Sequence, residues 1–203
     1  MYALRLPLLP GHYYHIFNFH NSEEPLFRET DNYIFFLRKY EEFCRPVTDT
    51  FAYCLMPYQF HFFVRIRPTA DLFRQFGIKD GSLRPWEVDD VLNVQLSRRF
   101  ANLFNSYAKA YNRRYGRQGS LFTDYFKRKE IDAKACRRSL IRDMHLQPVA
   151  QGLCGTASQW PHSSWPVLSS DQPTYLCRDE LLEWFGGRDA FLSFHSQPPP
   201  VTI

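Results

Sequence analysis

The feature that most constrains this chain's fold is a strict two-residue alternation in the run 59–67. Phe60, Phe62, Val64 and Ile66 fall on one side of an extended backbone, and Gln59, His61, Phe63, Arg65 and Arg67 on the other. A run with that period is a strand whose apolar side meets a core. Its opposite side presents an imidazole and two guanidinium groups. A second strand-like run, 48–55, precedes it across a short connection at Met56-Pro57-Tyr58.

The flanking elements follow from the same reasoning. Residues 12–20 read as a first strand. Residues 26–44 hold a helix capped near Thr30 or Asp31, with apolar positions Ile34, Leu37, Tyr40 and Cys44 at helical spacing and Pro46 as its stop. Residues 68–88, with their prolines, Gly77, Gly81 and mixed charges, read as an irregular, mobile excursion. A long helix then runs from about Val88 to Asn112 along the stripe Leu92, Leu96, Phe100, Leu103, Tyr107 and Tyr111. Residues 123–131 read as a fourth strand. Asp132 caps a helix reaching Pro148, a turn region covers 159–165, and a short helix spans 179–185. The order β-α-β-β-α-β-α predicts an α+β fold, a single antiparallel sheet with packed helices of the ferredoxin-like kind.

Composition narrows the class. With 44% hydrophobic, 17% aromatic and 23% charged residues the chain is not a disordered polyelectrolyte. Its apolar runs, such as 60–64, fall short of the roughly 20 residues a bilayer span needs. Met1 to Pro10 lacks a signal-peptide core, which predicts a cytoplasmic protein. Five cysteines without CxxC spacing predict reduced, mostly buried thiols. The net charge of +4 is uneven, because residues 98–129 hold nine basic residues against one acid, Asp124. A local basic field on a mildly acidic body is the footprint of a nucleic-acid binder or, equally, a solvated helix face. Arg98, Arg113, Arg114, Arg117, Lys127 and Lys129 are its candidate DNA contacts, with Arg65 and Arg67 added from the alternating strand. Gly116 and Gly119 punctuate the loop after the long helix, so that its backbone can approach a phosphate.

Met56-Pro57-Tyr58-Gln59-Phe60-His61 resembles the Met-Pro-Asn-His-hydrophobic-His segment of single-tyrosine transposases of the HUH endonuclease superfamily, in the branch associated with repetitive extragenic palindromes (REP). The likeness continues through Glu24-Pro25-Leu26-Phe27-Arg28, the stretch from Tyr111 to Phe122, His145-Leu146-Gln147-Pro148-Val149 and Trp160-Pro161-His162-Ser163-Ser164-Trp165. It covers residues 12–167, in family order and spacing. The resemblance implies an HUH endonuclease core in residues 1–167, with residues 168–203 as a C-terminal extension carrying a short helix. It also implies binding of single-stranded or hairpin DNA, a homodimer and a bacterial, DNA-associated setting. In the family two histidines on one strand bind a divalent metal that polarises a phosphodiester. A tyrosine on the last helix of the core attacks it to give a 5′-phosphotyrosine. A polar residue one turn further on completes the metal shell.

The sequence departs from that pattern at the positions that matter most. Gln59 stands where the first histidine belongs, and only His61 remains. Asp143 stands where the nucleophilic tyrosine belongs, with Gln147 one helical turn later. Gln59, His61 and Gln147 are therefore a degenerate metal set suited at most to weak Mg²⁺ or Mn²⁺ binding. Tyr58, Tyr111, Tyr115 and Tyr125 are the alternative nucleophiles in or beside the motif segments, and Tyr13, Tyr14, Phe63, Tyr115 and Trp165 the candidate base-stacking rings. His145 is expected to point away from the Asp143/Gln147 face and to pack or cap the helix. The reading is a hairpin or single-strand DNA-binding protein derived from a transposase, defective in strand cleavage. Two rivals stand beside it: an active metal-dependent endonuclease with a rearranged site, and a protein-interaction module that does not meet DNA.

Overall fold

The computed structural model describes residues 6–19, 24–122 and 126–197. Four strands, β1 (Tyr13–Phe19), β2 (Thr48–Met56), β3 (Gln59–Ile66) and β4 (Lys127–Glu130), form one antiparallel sheet in the order β2-β3-β1-β4. The helices among the described residues are α1 (Thr30–Phe43), α2 (Thr69–Phe76), α3 (Val88–Arg114), α4 (Lys134–Ala150), α5 (Trp165–Leu168), α6 (Arg178–Phe185) and α7 (Arg188–Ser196). This is the predicted α+β arrangement, with α1 and α3 as the crossovers.

The alternation of β3 decides where the layers go. Phe60, Phe62, Val64 and Ile66 meet α1 and α3 in one core, where Tyr40 stacks on Phe62 at 4.1 Å and Phe36 lies edge-on to Tyr107. Burying a side chain of this size stabilises by about 1.5–3 kcal/mol relative to leaving it in water. The Tyr40 hydroxyl would be costly in that core without partners, and it hydrogen-bonds Thr48 and Thr50. The opposite face is covered too. Phe51, Cys54, Met56 and Phe63 join Ile141 and Met144 of α4, Leu181 and Phe185 of α6 and Phe191 of α7 in a second core.

Local chemistry moves several predicted boundaries. The side-chain oxygen of Asn32 accepts the backbone N–H groups of Arg28 and Glu29, which sets the start of α1 at Thr30. The buried stripe of α1 is Tyr33, Phe36, Tyr40 and Cys44, whereas Ile34, expected in the stripe, is 59% exposed. Residues 68–88 are irregular only in part, since 77–84 are turns and bends but a helix precedes them. Pro68 precedes α2, Gly77 ends it in the left-handed region at φ 66°, and Leu72 is buried in the first core. Proline and glycine there punctuate a helix instead of dissolving one. α4 continues past Pro148 to Ala150, although a proline inside a helix loses one N–H bond and crowds the carbonyl four residues earlier. Tyr125 and the proline run 198–200 lie outside the described residues. Of the five thiols Cys44 and Cys54 are buried and Cys136 is exposed, so burial is less general than expected.

The two edges of the sheet differ. The β2 edge is covered, since Leu55 donates to the His162 carbonyl, Ser164 to that of Tyr53 and Cys177 to that of Thr50. The β4 edge carries Lys127 and Lys129, a charged edge of the kind that resists strand pairing.

Candidate functional site

The face of the sheet toward α4 brings together side chains from three strands. The register sets Phe17 opposite His61 and Lys127, and His15 opposite Phe63 and Lys129. His15 and His61 are thereby diagonal neighbours. Their rings stack at 5.1 Å with an interplanar angle of 20°, and His15 Nε2 lies 2.9 Å from His61 Nδ1. Phe17 flanks both rings. His61 is 8% exposed, and its Nε2 is buried with no hydrogen-bond partner among the described residues. Burial holds both imidazoles neutral, with the His61 pKa lowered to about 4 and that of His15 to about 3, where His61 and Lys129 add to the effect. His15 had no signal in the motif segments. It joins His61 only because β1 is inserted between β3 and β4.

The Gln59 amide makes a long contact to Met56 Sδ, at 3.8 Å. Asp143 is exposed on α4, and burial of its surroundings raises its pKa, with Arg142 opposing. Among the described residues no hydrogen bond or ion pair joins Asp143 or Gln147 to Gln59 or His61. No group of three or more His, Cys, Asp and Glu among the described residues is arranged to hold a metal. One orphaned imidazole nitrogen and two carboxamides do not fit Mg²⁺ or Mn²⁺, which take oxygen-rich shells anchored by carboxylates.

Arg65 and Arg67 are engaged within the fold, contrary to their expected role as phosphate contacts. Arg65 bonds Asp49 Oδ2 through Nε and Nη2, and Glu180 Oε1 and the Tyr13 hydroxyl through Nη1. It therefore ties β3 to β2 and α6. Arg67 pairs with the same Asp49 at 3.3 Å. The cations on this face come from β4 instead. Lys127 lies over the Phe19 ring at 3.6 Å, and Lys129 is exposed beside His15.

The basic loop after α3 is likewise partly neutralised. Arg114 pairs with Glu29 at 2.9 Å and Asp31 at 3.1 Å, and Arg117 with Glu24 at 2.8 Å. Tyr115 donates to Glu29, and Arg28 lies over the Tyr115 ring. The loop is thus clamped to the segment leading into α1. Arg113 and Arg98 are exposed on α3, in no ion pair among the described residues, and α3 covers the opposite face of the sheet from His61.

Among the alternative tyrosines, Tyr111 is buried and bonded to Arg28 and the Pro25 carbonyl, while Tyr58 is 47% exposed in the β2–β3 turn. The rings expected to stack on bases are mostly packed: Tyr14 and Phe63 are buried, Tyr13 lies under Arg137 and Trp165 stacks on Phe191.

His145 points into the protein. His195 Nδ1 faces the Phe191 carbonyl at 2.8 Å and must carry its proton, so its Nε2 accepts from His145 Nδ1 at 3.1 Å. His145 Nε2 then accepts the Ser164 hydroxyl at 2.8 Å, and Ser164 Oγ accepts the Tyr53 N–H. This chain ties α4 to α7 and to the covered edge of β2.

No family model matches the chain, and no curated protein sequence matches it. Among solved structures it is similar to a REP-associated tyrosine transposase bound to a REP hairpin, with a TM-score of 0.58 and 15% sequence identity. The match spans 84% of this chain and 87% of that one. At that identity the likeness establishes the fold.

Proposed function

We propose that this chain, which has the fold of a REP-associated tyrosine transposase, binds single-stranded or hairpin DNA and has lost strand cleavage. The observation that carries the reading is that shared fold, found in a protein solved on a DNA hairpin. The catalytic positions supply the rest. α4 offers the carboxylate of Asp143 where the resembled pattern has its tyrosine. A phosphodiester joined to a carboxylate is a mixed anhydride, which water cleaves before the strand can be religated. No group of three or more His, Cys, Asp and Glu among the described residues is arranged to hold a metal that would assist it.

The reading includes a homodimer in a bacterial cytoplasm, checked by sedimentation with and without DNA. Among the described residues no helix is long and apolar enough to cross a membrane. It also assigns residues 1–167 to DNA binding and residues 168–203 to bracing, since α6 and α7 pack against α4.

The test is a gel-shift series with a hairpin oligonucleotide from DNA flanking the gene, with and without Mn²⁺, on native and denaturing gels. A native shift that weakens steeply with salt, and no covalent adduct, is the expected result. Binding that ignores salt would favour the protein-interaction rival. An adduct on the denaturing gel would establish an active enzyme, with the exposed Tyr58 the first residue to replace by phenylalanine.

A further inference from the structure

Two phenols beside the covered edge of the sheet stand without partners. Tyr53 of β2 and Tyr175 are each half-buried, and neither hydroxyl has a hydrogen bond among the described residues. Burial pushes the Tyr53 pKa up to about 12 and raises that of Tyr175 as well, so both remain proton donors. The Tyr40 hydroxyl, close enough to act on Tyr175, bonds Thr48 and Thr50 instead. A desolvated tyrosine hydroxyl normally finds such a partner, and two neighbours that lack one call for an explanation.

Both phenols line one pocket of about 460 Å³, within the size range of small-molecule sites. Arg45, exposed in the turn after α1, lines it too and lies over the Tyr175 ring at 4.7 Å. It forms no ion pair among the described residues, although Glu41 precedes it by four positions on α1. Val167, Pro173 and Leu176 supply apolar wall. The segments 41–56 and 165–178, which contain every lining residue, are described without a break.

A guanidinium, two phenolic donors and an apolar wall suit an organic anion. The balance around Arg45 sets its charge. After burial itself, Glu41 is among the groups that raise the pKa of both phenols, so its field reaches the pocket and offsets the guanidinium. Such a site takes one negative charge more readily than the two of a phosphate. The guanidinium fork also matches the paired oxygens of a carboxylate.

We propose that this pocket binds a small organic carboxylate, held by Arg45 and hydrogen-bonded by Tyr53 and Tyr175, with its apolar body against Val167, Pro173 and Leu176. The site is separate from the face of His61 and does not rest on the DNA-binding reading.

The experiment is a thermal-melt series on the full chain with benzoate as the probe, beside benzamide, inorganic phosphate and chloride at matched ionic strength. Benzoate binds with a Kd of about 1 mM, as befits so small a ligand. At about ten times that concentration it raises Tm by about 3 °C or more. Benzamide and phosphate stay within about 1 °C of chloride. Arg45→Met, on the surface, weakens benzoate about tenfold or more. Tyr175→Phe weakens it about threefold and serves if Arg45→Met does not fold, since it removes a hydroxyl that bonds nothing in the fold. No shift with benzoate, an equal shift with benzamide, or a benzoate shift retained in full by both variants overturns the assignment. A phosphate shift as large as that of benzoate also overturns it, in favour of a general anion site. Displacement of benzoate by a hairpin oligonucleotide overturns it in favour of DNA.

Discussion

The pairs His145–His195 and His15–His61 have the same composition and opposite wiring. In the first, both nitrogens of each ring are engaged, from the Phe191 carbonyl through both imidazoles to Ser164 and the backbone of Tyr53. In the second, the bond between the rings is followed by His61 Nε2, which is buried without a partner among the described residues. A closed network stabilises a fold, because every desolvated polar group is repaid locally. An open one carries a desolvation cost that the fold alone does not offset. The first pair therefore belongs to the architecture that fixes α4 against α7. The second leaves an unsatisfied nitrogen on the face of β3 that, in the reading proposed above, corresponds to the catalytic face of the resembled family.

The largest effect should come from acid. All four imidazoles are held neutral by burial, with the His195 pKa lowered to about 4 and that of His145 well below the usual value. The unfolded chain takes up protons first, near pH 6.5, so stability is intact above that pH. It is lost as pH falls toward the folded values, by up to about 1.4 kcal/mol per unit for each histidine. Urea denaturation at pH 7 and pH 5 should differ by several kcal/mol. A difference within about 1 kcal/mol would show that the imidazoles are not held neutral.

Identical substitutions then separate the pairs. His145→Leu strands His195 Nε2 and the Ser164 hydroxyl in the interior and should cost about 2–3 kcal/mol. His61→Leu removes the partnerless Nε2 but also takes away the partner of His15 Nε2, so it should cost about 1 kcal/mol, less than His145→Leu, which strands two groups. Equal losses at the two sites would break the contrast between closed and open networks. A smaller but sharper signal is expected from Gln59→His combined with Asp143→Tyr. It supplies the second imidazole and the nucleophile of the resembled pattern, so a slow Mn²⁺-dependent adduct with a hairpin oligonucleotide should appear on a denaturing gel. A well-folded double variant that stays inert would remove the catalytic face from the position assigned here.

Much of the fold was legible in local pattern. The two-residue alternation of β3 and the three-to-four-residue stripe of α3 specify strand and helix, and their order implies the single antiparallel sheet. α2 was less legible, because Pro68 and Gly77 resemble loop punctuation until Leu72 is seen in the core. α7 was not read at all, since its buried positions Phe191 and His195 acquire meaning only against α4. The candidate site was legible in part. Gln59, His61 and Asp143 could be placed against a known pattern, but the partners of the arginines could not.

The sequence alone determined the strand and helix periods, the order of the elements and the residue types missing from the catalytic positions, because these depend on neighbours within a few residues. Only the tertiary structure decided which charges are free. Arg65 and Glu180 are 115 positions apart, and Arg114 and Asp31 are 83 apart, yet each pair is in contact. The same holds for His15 beside His61. Coulomb attraction and desolvation act over a few ångströms in space, and sequence distance carries no information about them until the sheet order has been set.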